Sequence, residues 1–298
     1  MSWVTSWESW RKTMGPRGSR HRTAVDAFLQ SHPAIMYWGD SWFSTPLYLN
    51  LARQSSLRIN GAGILIGKPG AEAAELFRPS EVARIIDRLL GSPFDVLCLS
   101  AGGNDCLGDR LAVAFKAWKH DPTKPKISAA DAFTIVEQAG TFERIFGAYD
   151  RLLTSLARVK DARGTFRVVG HPYVPIQHIG LEADLTVANI GLVAWLKGEV
   201  GPWLWTPMRH VLKDGKAGGK EFADRLLVAG FRRDVLDRLA TKHAGLFSVA
   251  DFAAVDLTTD GFWNDEIHPS EQGFGELARA FNAEIRKQLP LAKRAAVA

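Results

Sequence analysis

Short runs rich in β-branched and aromatic residues alternate with longer segments of helical apolar spacing between residues 34 and 285. That alternation constrains the chain most, because it calls for a mainly parallel sheet with helices over both faces. Five strands are expected, at 34–38, 56–60, 94–99, 165–170 and 246–250. In the third and fourth the apolar residues run together, as they do in strands buried on both sides. The segments between supply the cover. Ser80 can cap a helix whose Val82, Ile85, Ile86 and Leu89 share one face, with Gly91 just past its end. Ser270 can cap another carrying Phe274, Leu277, Ala278, Phe281 and Ile285, halted before Pro290.

Two longer stretches, near 107–160 and 181–243, read as helical insertions into one domain spanning 31–290. The first has a turn-rich break at 121–126, then a helix over 129–159 that Gly140 can interrupt. Residues 1–30 form an arm or peripheral helix on which Trp3, Trp7 and Trp10 would share one face. That face either docks on the body of the chain or meets a partner or membrane surface. Residues 291–298 are a basic tail.

Composition narrows the functional classes. With 298 residues, 46% apolar and 23% charged, the chain can bury a substantial core and fits neither collagen-like, disordered nor membrane-spanning classes. The formal charge of +5 is spread rather than gathered, which argues against nucleic-acid binding. Two cysteines, Cys98 and Cys106, make neither a disulfide framework nor a four-ligand zinc site. No segment reads as a secretory signal or as the ~18–20 apolar residues of a membrane span. A cytoplasmic location is the expectation; oligomeric state is left open.

Three polar motifs follow the first, third and fifth expected strands: Gly39-Asp40-Ser41, Gly102-Gly103-Asn104-Asp105 and Asp265-Glu266-Ile267-His268-Pro269. The carboxyl ends of parallel strands open onto a common crevice, so these motifs can converge there. A serine hydroxyl becomes a nucleophile when an imidazole accepts its proton, and a carboxylate fixes the tautomer of that imidazole. Ser41, His268 and Asp265 can fill the three roles. A helix start just after His268 would disfavour imidazolium, but the full charge of Asp265 is expected to outweigh it. An oxyanion needs donors already aimed at it. The Asn104 amide, the Ser41 backbone N–H and the N–H of Gly70, which precedes a helical run, are candidates. Each motif alone also fits an ordinary turn.

Taken in order, the blocks resemble those of the SGNH hydrolases, the GDSL lipase and esterase superfamily. The first reads Gly39-Asp40-Ser41-Trp42, the third Gly102-Gly103-Asn104-Asp105 and the last Asp265-Glu266-Ile267-His268-Pro269, with Gly70 the preferred match for the glycine block over Gly61, Gly63 and Gly67. The resemblance implies Ser41 as nucleophile, His268 as base, Asp265 as its orienter, and Ser41, Gly70 and Asn104 as oxyanion-hole donors. It also implies a flavodoxin-like α/β/α sandwich with a five-stranded parallel sheet in the order 2-1-3-4-5. Trp42 stands where the family name has leucine; it either narrows the pocket or packs beneath the turn.

The expected activity is serine-dependent carboxylic-ester hydrolysis through an acyl-enzyme, on a small-molecule or glycan ester, with no metal or organic cofactor. Carbohydrate O-deacetylation or acyl transfer would use the same intermediate. A non-catalytic binding or assembly module retaining the fold is the alternative of another class. His171 and Tyr173, in an extended loop after the fourth strand, and Trp263, beside the last motif, are candidate substrate contacts beside Trp42. His171, His178 and His210 fit no compact metal motif.

Overall fold

The structure, a computed structural model, describes residues 3–45, 48–121, 123–182 and 201–298. Six parallel strands form its sheet: β1 (Trp3–Val4), β2 (Ala34–Gly39), β3 (Ala62–Gly67), β4 (Val96–Ser100), β5 (Arg167–Gly170) and β6 (Phe247–Val249). Their spatial order is β1-β3-β2-β4-β5-β6. Strands β2 to β6 follow the expected 2-1-3-4-5 arrangement. The additional strand is β1: Trp3 and Val4 pair in parallel with Gly63 and Ile64 at the sheet edge. Trp3 therefore does not share a helical face with Trp7 and Trp10, which lie on the helix Trp7–Met14.

Adjacent residues of β2 show how the layers are built, since successive side chains in a strand point to opposite faces. The Tyr37 hydroxyl meets Ser55 Oγ at 2.7 Å and its ring faces Phe281. Trp38 turns the other way, edge-on to Phe77 at 5.2 Å between ring centroids. One face is covered by the helices Leu51–Leu57 and Glu271–Gln288, the other by Pro79–Gly91 and Thr141–Arg163. The expected interruption falls at Gly140, which separates Ala129–Gln138 from Thr141–Arg163 with φ +72°. Ser270 caps the last helix by accepting from Gly273 N–H. Ser80 does not cap its helix: the helix begins two residues earlier than that cap implies, at Pro79, where a missing N–H costs nothing, with Arg78 in the cap position, and Gly91 is its final residue.

The second strand is a correction. Residues 56–60 are not a strand; Ser56 and Leu57 end the helix Leu51–Leu57, which Asn50 caps by accepting from Arg53 N–H at 3.0 Å. The strand lies later, in the glycine-rich Ala62–Gly67. Glycine is required there by packing: a Cβ on Gly63 would sit 2.1 Å from the Ile35 carbonyl oxygen and 2.5 Å from the Trp3 ring. The N-terminal arm is thus held to the body, and Trp10 stacks on Phe94 at 4.6 Å, a pairing worth about 0.5–1.5 kcal/mol beyond the area it buries. At the other end, Lys293 pairs with the buried Asp95 and Val297 bridges to Ile59. Of the stretch expected to be helical at 181–243, residues 183–200 lie outside the described residues. The remainder includes Gly215–Ala223 and, between Asp224 and Asp237, wide turns of the π-helical kind.

Candidate active site

Loops leaving the carboxyl ends of β2, β4 and β6 carry the three polar motifs to one rim. Beyond Gly39, the Asp40 N–H donates to the Ser100 carbonyl at 2.9 Å, continuing the β2–β4 pairing by one residue. Asp40 then caps the short helix Ser41–Ser44: its Oδ1 accepts from the Trp42 N–H at 3.1 Å and from the Ser100 hydroxyl at 2.7 Å. Burial pushes the Asp40 carboxyl up, and the Ser100 and Trp42 hydrogen bonds and the charge of His268 oppose that shift. Ser41 is the first residue of the helix, so the strand-to-helix turn presents it at the rim.

The Ser41 hydroxyl lies 2.8 Å from His268 Nε2, across 227 residues of chain. On the far side of the ring, His268 Nδ1 is 2.9 Å from Asp265 Oδ2 and 3.0 Å from Oδ1. A carboxylate can only accept, so Nδ1 carries the hydrogen and Nε2 offers its lone pair to the serine. Asp265 Oδ1 also accepts from the backbone N–H groups of Ile267 and His268, at 2.9 and 2.8 Å, which fixes the loop that holds both side chains. Burial pulls the His268 pKa down; the charge and hydrogen bond of Asp265, with Asp40 behind, outweigh it and raise the pKa above its ordinary value.

Asn104 opens a single 3-10 turn, Asn104–Cys106, after β4. Its Nδ2 donates to the Ala71 carbonyl at 3.0 Å. An amide nitrogen has two hydrogens, so one bond fixes the amide plane and leaves the other free to donate. The next residue, Asp105, accepts from Ala73 N–H at 2.8 Å, tying the Asn104 turn to the segment after β3. Burial raises the Asp105 carboxyl to about 7, against that hydrogen bond. Gly70 lies in a turn closed by Ala71 N–H on the Lys68 carbonyl at 3.2 Å; with Pro69 before it and φ +73°, it has the type II position that favours glycine.

Ser41, Trp42, Asn104, Tyr173, Trp263 and His268 line one pocket together. Gly70 and His171 are not among its lining residues. His171 lies beneath it, stacked on Trp42 at 5.2 Å with 9° between the planes. Its Nδ1 is 3.0 Å from the Pro172 carbonyl, and burial lowers its pKa to about 4, so the ring is neutral. Trp42 does both things expected of it as alternatives: it lines the pocket and packs below the turn. The Tyr173 hydroxyl accepts from Gly103 N–H at 2.8 Å, next to Asn104. Trp263 donates to the Leu257 carbonyl at 2.9 Å. Among the described residues, no group of three or more His, Cys, Asp or Glu side chains could hold a metal ion, and no helix is long and apolar enough to cross a membrane.

Sequence reasoning assigned no role to Glu266. The residue is fully buried, and its carboxylate accepts three backbone N–H groups, from Gly180 at 2.9 Å, Leu204 at 2.7 Å and Trp205 at 3.0 Å. The loop holding Asp265 and His268 is thereby tied to two segments separated by more than twenty residues. Trp203, next to one of them, stands edge-on to the His268 ring at 5.6 Å. The one available signal was a carboxylate directly beside the motif's own aspartate.

No protein-family model matches the chain, and no curated protein matches it in sequence. Similar solved structures include a lipase from a goat rumen metagenome, 15% identical, covering 84% of this chain and 96% of that one with a TM-score of 0.48. A carbohydrate acetylesterase from Sinorhizobium meliloti is 14% identical, with 86% and 99% covered and a TM-score of 0.45. A phospholipase A1 from Streptomyces albidoflavus is 16% identical, with 85% and 99% covered and a TM-score of 0.45. In its parallel α/β sheet and in the order of its polar blocks, the chain is similar to the SGNH hydrolases.

Proposed function

We propose that the protein is a serine-dependent carboxylic-ester hydrolase working through an acyl-enzyme. The observation that carries this reading is the 2.8 Å contact of Ser41 Oγ with His268 Nε2, whose opposite nitrogen is held by Asp265. In the first half-reaction the Ser41 hydroxyl gives its proton to Nε2 as Oγ bonds to the acyl carbon. The tetrahedral oxyanion takes hydrogen bonds from the Asn104 amide and the Ser41 backbone N–H; Gly70, which does not line the pocket, is left out of this role. Collapse breaks the bond to the alcohol oxygen, which leaves with the proton from His268. A water molecule then gives a proton to His268, attacks the acyl carbon and releases the acid, and Ser41 regains its hydrogen.

Asp265 favours this sequence twice. It holds the tautomer with a free Nε2, and its charge stabilises the imidazolium formed in each half-reaction. The test is hydrolysis of p-nitrophenyl acetate by the purified protein and by Ser41→Ala. Turnover that disappears in the variant is expected. Equal turnover by both would end the nucleophile assignment, and none by either would favour a binding module that retains the fold.

A further inference from the structure

The Tyr173 hydroxyl has a partner in each of the two motifs that carry Ser41 and Asn104. The Gly103 N–H, one residue before Asn104, donates to it at 2.8 Å. The contact needs a glycine there, because a Cβ on Gly103 would lie 2.6 Å from the hydroxyl oxygen and 2.8 Å from the ring carbon that bears it. A phenol that accepts through its oxygen still has its own hydrogen to give. Asp40, the residue before Ser41, takes it: burial raises the Asp40 carboxyl, and the Tyr173 hydrogen bond is among those that oppose the rise. Burial, and then the Asp40 charge, push the Tyr173 phenol well up, so it keeps its hydrogen at neutral pH.

The ring gives the hydroxyl little freedom. Tyr173 is 7% exposed, with the Trp42 ring edge-on at 5.0 Å and the Phe231 ring at 5.2 Å. Phe231 in turn fills the space beside Gly102, where a Cβ would lie 2.6 Å from its ring. Both glycines of the pair before Asn104 therefore have an aromatic side chain directly against them. Close-packed interiors transmit a displacement, so a ring clamped in this way can hold two pieces of backbone at a fixed separation.

Resting on the reading of Ser41 as nucleophile and Asn104 as oxyanion donor, we infer that Tyr173 is a positioning residue for the reaction. Its hydroxyl, bridging the Gly103 N–H and the Asp40 carboxylate, sets the distance from the Ser41 turn to the Asn104 amide. This differs in its kinetics from the substrate contact that the sequence suggested. A contact made equally to substrate and transition state acts on KM, whereas a group that places an oxyanion donor acts on kcat. A misplacement of about 1 Å in such a constellation costs about 10²-fold.

The experiment is a double-mutant cycle of Tyr173→Phe and Asn104→Ala, read as kcat and KM on p-nitrophenyl acetate. With Asn104 present, Tyr173→Phe is expected to lower kcat by about 10- to 100-fold while KM stays within about twofold. In the Asn104→Ala background the same change should cost less than about twofold, because no amide is left to misplace. Gly103→Ala forces a methyl against the hydroxyl and should show the same dependence on Asn104, which keeps the test open where Tyr173→Phe does not fold. An equal fold-loss in both backgrounds, a change confined to KM, or full activity of Tyr173→Phe overturns the inference while leaving Ser41 as nucleophile. Absence of Ser41-dependent turnover in the intact protein overturns both together.

Discussion

Asn104 illustrates how a residue is prepared before any substrate arrives. One hydrogen of its amide is fixed on the Ala71 carbonyl, and Asp105 beside it holds Ala73 N–H. A donor positioned in advance needs no reorganisation as charge develops, and losing one costs about 10²–10³-fold in kcat. Asn104→Ala is expected to show that loss with KM changed far less, measured by steady-state kinetics on p-nitrophenyl acetate. His268 gives a second prediction. Only the neutral ring accepts the serine proton, and Asp265 and Asp40 raise its pKa against burial. Activity should therefore rise with pH through a pKa above 6.5, the ordinary value for histidine. In Asp265→Asn that limb should move to lower pH while turnover collapses, because the imidazolium and the required tautomer both lose their support. The motif residues were legible in the sequence because chemistry restricts their types. Glu266 was not, because its partners are backbone N–H groups brought to it by folding.

Among the elements, the contrast between β3 and the helices is instructive. The helices Pro79–Gly91 and Glu271–Gln288 carry a local signal, apolar residues at helical spacing on one face; the start of the second was legible in its Ser270 cap, that of the first lies two residues before the one a Ser80 cap implies. The strand Ala62–Gly67 carries a contrary local signal, since glycine weakens an isolated strand. Its glycines answer to tertiary demands: Gly63 makes room for Trp3 and for the neighbouring strand. The strand expected at 56–60 gives way to the end of the helix Leu51–Leu57, whose cap is Asn50, one residue before its start. The loop of the last motif is governed by Glu266 in the same long-range way. A buried carboxylate holding three N–H groups gives hydrogen bonds worth about 1.5–3 kcal/mol when the group is charged. Glu266→Gln turns an NH₂ group toward those donors and is expected to lower stability by at least about that amount, read as a reduced denaturation midpoint with an unchanged m-value.

For the molecule as a whole, the parallel sheet does the assembling. Gly39 is in register with Ser100 across β2 and β4, so the loops that follow leave the sheet at the same level. Ser41 and Asn104 then line one pocket with a histidine more than two hundred residues away from the serine. The convergence was legible because parallel strands admit few topologies. Strand β1 was not, because two residues at a sheet edge have no periodicity of their own. The central claim is that Ser41 is the nucleophile of this assembled site. It is tested most directly by treating the protein with an alkyl phosphonate ester and locating the adduct by peptide mass mapping. A single phosphonyl group on Ser41, formed far more slowly in His268→Ala, is the predicted result. Stoichiometric modification at another serine, or equal labelling of Ser41→Ala, would contradict it.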